Sequence, residues 1–117
     1  MTRILIADPD PRIRQALVLL LERRLDAIHA SEAWDRASLE CQLALLRPDV
    51  LLLDCHLPGL AAADIAALRR PRVDARLTLI SVDVEDLATA QSLNVAFIYK
   101  GAPPEEVLAT LRGVIPA

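Results

Sequence analysis

Residues 50–59 read Val50-Leu51-Leu52-Leu53-Asp54-Cys55-His56-Leu57-Pro58-Gly59. Four consecutive aliphatic residues stop at a carboxylate, and Pro58-Gly59 supplies turn residues just beyond it. An unbroken apolar run of this length fits a strand buried on both faces, as in a parallel sheet covered by helices. Outward from this stretch, similar short runs occur at residues 4–7, 27–29, 77–80 and 95–99, the run at 27–29 being weak. Between them lie segments with helical periodicity. Ile13, Ala16, Leu17 and Leu20 share one face that ends in Arg24, Leu39, Leu43 and Leu46 share a second, and Val107, Leu108, Leu111 and Ile115 share a third. Asp10-Pro11 reads as an N-cap followed by proline at the first helical position. Pro103-Pro104-Glu105-Glu106 opens the last helix with acids where the helix dipole favours them. Asp83, with Asp86 three residues on, can cap the fourth helix, and Arg47-Pro48-Asp49 stops the second. The pattern predicts five βα units, hence a single α/β domain over residues 1–117: a doubly wound five-stranded parallel sheet with about five helices on both faces.

Composition agrees and narrows the function. The 117 residues are 54% hydrophobic but only 3% aromatic, so the core must be aliphatic and no aromatic platform for single-stranded nucleic acid is available. A net charge of −3 gives no long-range attraction to DNA or to an anionic membrane. Arginines do cluster at Arg23-Arg24 and at Arg69, Arg70, Arg72 and Arg76, which reads as solvated helix ends, with partner docking as the alternative. Cys41 and Cys55 are read as small thiols filling space in a reducing compartment. With no signal-like or membrane-length apolar run, the expectation is a soluble, cytoplasmic protein with no direct nucleic-acid contact.

The chemical signal lies at the residue that closes each run. Residues 4–7 end at Asp8, 50–53 at Asp54, 77–80 at Ser81 and 96–99 at Lys100. Ligands of open α/β sheets bind outside the carboxyl ends of the strands, so two carboxylates, a hydroxyl and an ammonium converge on one rim. Each of the four alone has a structural explanation, but together they make a phosphoryl-acceptor chemistry. Neighbouring carboxylates favour a divalent cation with hard oxygen ligands. A carboxylate can accept a phosphoryl group covalently, and cations neutralise the charge that develops during transfer.

This combination resembles the response-regulator receiver domain of two-component signalling, over residues 3 to about 115. Ile4-Leu5-Ile6-Ala7-Asp8-Pro9-Asp10-Pro11 looks like the family's acidic loop, and Asp54-Cys55-His56-Leu57-Pro58-Gly59 like its phosphoacceptor loop. Ser81 matches the hydroxyl position, Lys100 the lysine and Phe97 the switch aromatic. The resemblance implies strand order 2-1-3-4-5, the flavodoxin/CheY-like arrangement. It further implies a phosphorelay phosphoprotein, not an enzyme in the ordinary sense, beyond self-catalysed phosphorylation and dephosphorylation. Asp54 would accept a phosphoryl group from a sensor histidine kinase or a phosphotransfer protein. Mg²⁺ (magnesium) would be held by Asp8, Asp54 and the His56 backbone carbonyl. Ser81 would hydrogen-bond the phosphoryl group, Lys100 would pair with its charge, and Phe97 would turn inward. A partner face, or a homodimer, would form at the fourth or last helix.

The sequence departs from the family pattern in places. Pro9 stands where a second metal-binding acid is usual, and Asp10, one residue on, is better placed as a helix cap than as a ligand. This leaves open a degenerate receiver that acts as a phosphorylation-independent interaction module. Ala62 replaces a usual glycine, and Val82 could crowd Ser81. His56 either sits exposed on its loop or tunes the lifetime of the phosphoryl group. His29 is read as structural, and Trp34 as packing at the start of the second helix. Asp8-Pro9-Asp10 also resembles the nucleophile motif of haloacid-dehalogenase-type phosphatases, but that reading leaves Asp54 unexplained and lacks the later metal-binding acids.

Overall fold

The computed structural model describes residues 1–68 and 76–116. Its elements alternate: β1 (Thr2–Ala7), α1 (Pro11–Arg24), β2 (Ile28–Ala33), α2 (Arg36–Leu46), β3 (Val50–Asp54), α3 (Ala62–Ala67), β4 (Arg76–Ser81), a 3₁₀ turn (Val84–Asp86), α4 (Leu87–Leu93), β5 (Ala96–Tyr99) and α5 (Pro104–Val114). All strand pairs are parallel and the order is β2-β1-β3-β4-β5. Arg69, Arg70 and Arg72 of the expected basic cluster lie outside the described residues. Arg76 opens β4 and donates from Nη1 to the Val114 carbonyl at 3.0 Å.

The sheet divides the core in two because side chains alternate along a strand. Leu5, Ala7, Leu51, Leu53, Leu77 and Leu79 face Leu39 of α2, Ile65 of α3 and Ala90 of α4. Ile4, Ile6, Val50, Leu52, Ile80 and Ile98 face Leu21 of α1 and Val107, Leu108 and Leu111 of α5. β3, at the centre, is buried along its whole length. This explains why its sequence is a continuous apolar run instead of an alternation. Leu52→Ala is expected to cost about 2–5 kcal/mol, seen as a lower urea midpoint at unchanged slope. Leu45→Ala, at a site 74% exposed on α2, should change stability by less than about 0.5 kcal/mol.

Several boundaries differ from the sequence expectation, each for a local reason. β2 runs over Ile28–Ala33 and excludes Ala27, whose φ of 55° is left-handed and whose carbonyl accepts from Thr2 N at 2.8 Å. β2 is an edge strand with only Ala33 buried, so it needs little apolar character. β5 starts at Ala96, because Asn94 ends α4 in the left-handed conformation and Val95 N still bonds to Ala90 O at 3.0 Å. Asp83 caps the 3₁₀ turn through Glu85 N at 3.0 Å, and α4 itself begins only at Leu87. Asp10 caps α1 as expected, accepting from Arg12 N at 2.9 Å. Arg47, left-handed at φ 44°, ends α2.

Three side chains also depart from expectation. Trp34 does not pack inward; it is 51% exposed, with the Arg14 guanidinium 5.9 Å from its ring. His29 and Cys41 are exposed, so neither fills space in the core. Gly59 is needed for its conformation: its φ is +89°, and a Cβ there would lie 2.8 Å from Arg36 Cβ. Among the described residues no helix is long and apolar enough to cross a membrane.

Candidate functional site

The carboxyl ends of β1, β3 and β5 bring three of the predicted groups into contact. Lys100, just past β5, places its Nζ 2.6 Å from Asp8 Oδ2 and 2.7 Å from Asp54 Oδ2. Asp8 is fully buried and Asp54 nearly so.

Each carboxylate is held by its own loop. Asp8 Oδ1 accepts from Asp10 N at 2.8 Å, and the Asp8 carbonyl accepts from Arg14 Nη1 at 2.7 Å. Asp8 Oδ2 therefore points at the ammonium, and it receives no other hydrogen bond from the described residues. Asp54 Oδ1 accepts from the backbone N–H of His56 at 2.9 Å. The main chain fixes Lys100 in turn, its N–H donating to the Ser81 carbonyl at 2.8 Å.

The electrostatics follow from this geometry. Burial alone lowers the pKa of the Lys100 ammonium, but the hydrogen bonds to Asp54 and Asp8 outweigh it and raise the pKa above its ordinary value. With one cation between two carboxylates, the cluster carries a net negative charge, which suits a further cation more than an anion. Burial, reinforced by Asp86 and Asp54, pushes the Cys55 thiol up to about 12, so it stays protonated and half-buried beside the site.

Ser81 is fully buried at the end of β4, but its hydroxyl is engaged away from the Lys100 cluster. Its Oγ donates to Asp86 Oδ2 at 2.5 Å and accepts from Asp83 N at 3.0 Å. The same Asp86 oxygen lies 2.9 Å from His56 Nε2. Sequence reasoning saw Asp86 only as a companion to a helix cap and missed it as the link between Ser81 and the acceptor loop. No local pattern signals that link, because His56 and Asp86 meet only through the sheet. The side chain of His56 is 61% exposed. Val82 is 67% exposed and so points away from Ser81 instead of crowding it. Phe97 is half-buried against the core on the α4 side. Asp10 is exposed and uses Oδ1 as a helix cap, as its spacing suggests.

The fit of the site to Mg²⁺ can be judged from its donors. Asp8 and Asp54 offer hard, buried oxygens, and among the described residues Asp8 Oδ2 has no partner but the ammonium. Mg²⁺ keeps several waters and needs few protein oxygens. The donor set fits, with Pro9 contributing nothing and Asp10 occupied elsewhere.

No known protein-family model matches the chain. Curated relatives do match. The DNA-binding response regulator MtrA of Mycolicibacterium smegmatis is 25% identical over 113 residues, covering 94% of this chain and 49% of the relative. The phosphate regulon transcriptional regulatory protein PhoB of Pseudomonas aeruginosa is 29% identical over 118 residues, covering 96% of this chain and 51% of the relative. Among solved structures, the signal receiver domain of the response regulator NarL from Mycobacterium tuberculosis superposes with a TM-score of 0.79 at 25% identity, covering 96% of this chain and 94% of that one. Over nearly its whole length the chain is thus similar to response-regulator receiver domains. The chain spans about half the length of the curated relatives it matches. Its fold is also that of the chemotaxis protein CheY4 from Vibrio cholerae, with a TM-score of 0.80 at 20% identity over 97% of this chain and 98% of that one. The five-stranded sheet and its strand order are those that the resemblance implied.

Proposed function

We propose that this receiver takes a phosphoryl group on Asp54 from a phosphohistidine of a sensor kinase or phosphotransfer protein. The observation that carries the reading is the single ammonium of Lys100 seated between Asp8 and Asp54 at 2.6 and 2.7 Å. It pairs with the Asp54 side chain, and a carboxylate oxygen is the nucleophile the reaction needs. A carboxylate oxygen of Asp54 attacks phosphorus, the P–N bond to the donor imidazole breaks, and the imidazole leaves with the bonding electrons. The product is an acyl phosphate. Lys100 then pairs with the added charge. Asp8, Asp54 and the His56 backbone carbonyl would hold Mg²⁺, which when bound neutralises charge on the transferring group.

Ser81 and Phe97 would form the switch. For Ser81 to hydrogen-bond the phosphoryl group, its hydroxyl must release Asp86, which frees the turn before α4. The surface read by a partner or a second copy would lie there. Val84, Leu87 and Tyr99 are exposed on the turn, α4 and β5. Pro9 and the cap role of Asp10 favour one second reading, a degenerate receiver that binds partners without phosphorylation.

Incubation of the purified domain with acetyl phosphate and Mg²⁺, followed by intact-mass measurement, separates the two. The acceptor reading predicts the mass gain of one phosphoryl group, and that gain should fall when Mg²⁺ is chelated. No gain at millimolar Mg²⁺ sinks it and leaves the degenerate reading.

A further inference from the structure

His56, Asp83 and Asp86 bring an imidazole nitrogen and two carboxylate oxygens within 4.8 Å of one another. They come from two loops: His56 lies just past β3, and the two acids flank the turn before α4. None is a side chain that the phosphoryl-acceptor chemistry uses. The geometry points to a second metal site here, for a borderline divalent ion of the Zn²⁺ class.

The donor set decides the ion. Mg²⁺ and Ca²⁺ take oxygen ligands, whereas an imidazole favours zinc and its transition-metal neighbours. A catalytic-type or regulatory zinc site uses three protein donors and keeps a fourth position for water. With metal–ligand distances near 2.0–2.2 Å, tetrahedral donors stand roughly 3.4 Å apart. His56 Nε2 and Asp86 Oδ2, at 2.9 Å, are already close to that spacing, and Asp83 closes the triangle within the same 4.8 Å. Asp83 uses only Oδ1 as a cap, and Asp86 Oδ2, which faces His56, also takes the Ser81 hydroxyl, a bond that a carboxylate oxygen with two lone pairs can keep beside a metal.

The backbone of each of the three residues is also held in place. The His56 N–H is tied to Asp54 Oδ1 at 2.9 Å, Asp83 N to Ser81 Oγ at 3.0 Å, and Asp86 N to Asp83 O at 3.1 Å. Only side-chain ordering remains to be done on binding, which favours affinity. An ion here would tie the loop after β3 to the turn before α4, beside Ser81. It would be a second input to the same rim, separate from the Asp8–Asp54 carboxylates.

The test is calorimetric titration of the full chain with ZnCl₂ in excess Mg²⁺, so that Asp8 and Asp54 are already supplied with their own cation. One equivalent should bind. His56→Gln, Asp83→Asn and Asp86→Asn should each weaken binding at least as much as the roughly 10–100-fold lost when a mere supporting partner is removed. His29→Gln and Cys41→Ser should bind like the parent. Co²⁺ in place of Zn²⁺ should give visible bands without the intense near-ultraviolet absorption of a cobalt–thiolate bond. No binding below millimolar Zn²⁺, or binding abolished by His29→Gln or by cysteine replacement instead, overturns the site. His56 is exposed, so its variant reports ligation and not misfolding. Because the readout is binding, it stands whether or not Asp54 is phosphorylated.

Discussion

Asp54→Asn is expected to abolish the mass gain from acetyl phosphate while leaving the domain folded. The amide oxygen that replaces the carboxylate is not a nucleophile, so no acyl phosphate can form at that position. The fold should tolerate the change, because the amide keeps the shape of the side chain and an oxygen for the His56 N–H, now 2.9 Å away. Lys100 keeps Asp8 at 2.6 Å as its partner. The loss of one ion pair is offset by the relief of repulsion between two buried carboxylates, so unfolding free energy should move by no more than about 1 kcal/mol. Full labelling of the variant would transfer the acceptor role to Asp8. Circular dichroism and a urea titration of the same sample show whether lost labelling reflects chemistry or unfolding.

Lys100→Ala should do the opposite, with a large loss of stability. It leaves Asp8 and Asp54 buried at one rim with no cation between them. Breaking a buried pair by removing one partner costs about 3–5 kcal/mol, because the remaining charge is uncompensated. Adding Asp8→Asn to Lys100→Ala should recover part of the loss, and failure of the double variant to recover any would show that the cost is packing alone. The pH dependence has a definite sign. The folded pKa of Lys100 is raised above its ordinary 10.5, so its contribution is fully present below 10.5 and fades as pH rises through the folded value. The parent protein should therefore lose stability on the alkaline side, and Lys100→Ala should lack that part of the profile. Urea midpoints measured across the alkaline range decide this.

Much of the architecture is legible in the chain because it rests on local rules. The run at residues 50–53 can be buried on both faces only in the middle of a covered sheet, and β3 occupies that place. Asp10-Pro11 and Pro103-Pro104 set helix starts through φ and an unsatisfied N–H, and both helices begin where they predict. β2 was hard to read for the converse reason. As an edge strand it buries little, so Ile28–Ala33 carries no apolar signature, and pairing with β1 alone makes it a strand. Trp34, read as packing at the start of the second helix, does stand there, but Asp35 caps α2 directly after it and the ring is left at the surface.

The sequence by itself determined the strand-end residues Asp8, Asp54, Ser81 and Lys100, since a strand ends where its apolar run ends. Only the tertiary structure decided which of them touch. The register of β1, β3 and β5 puts one ammonium on two carboxylates, whereas Ser81 hydrogen-bonds to Asp86. His56 and Asp86 are 30 positions apart in sequence and 2.9 Å apart in space. No periodicity encodes that approach. It arises from the parallel pairing of β3 with β4, which brings the loops after them side by side.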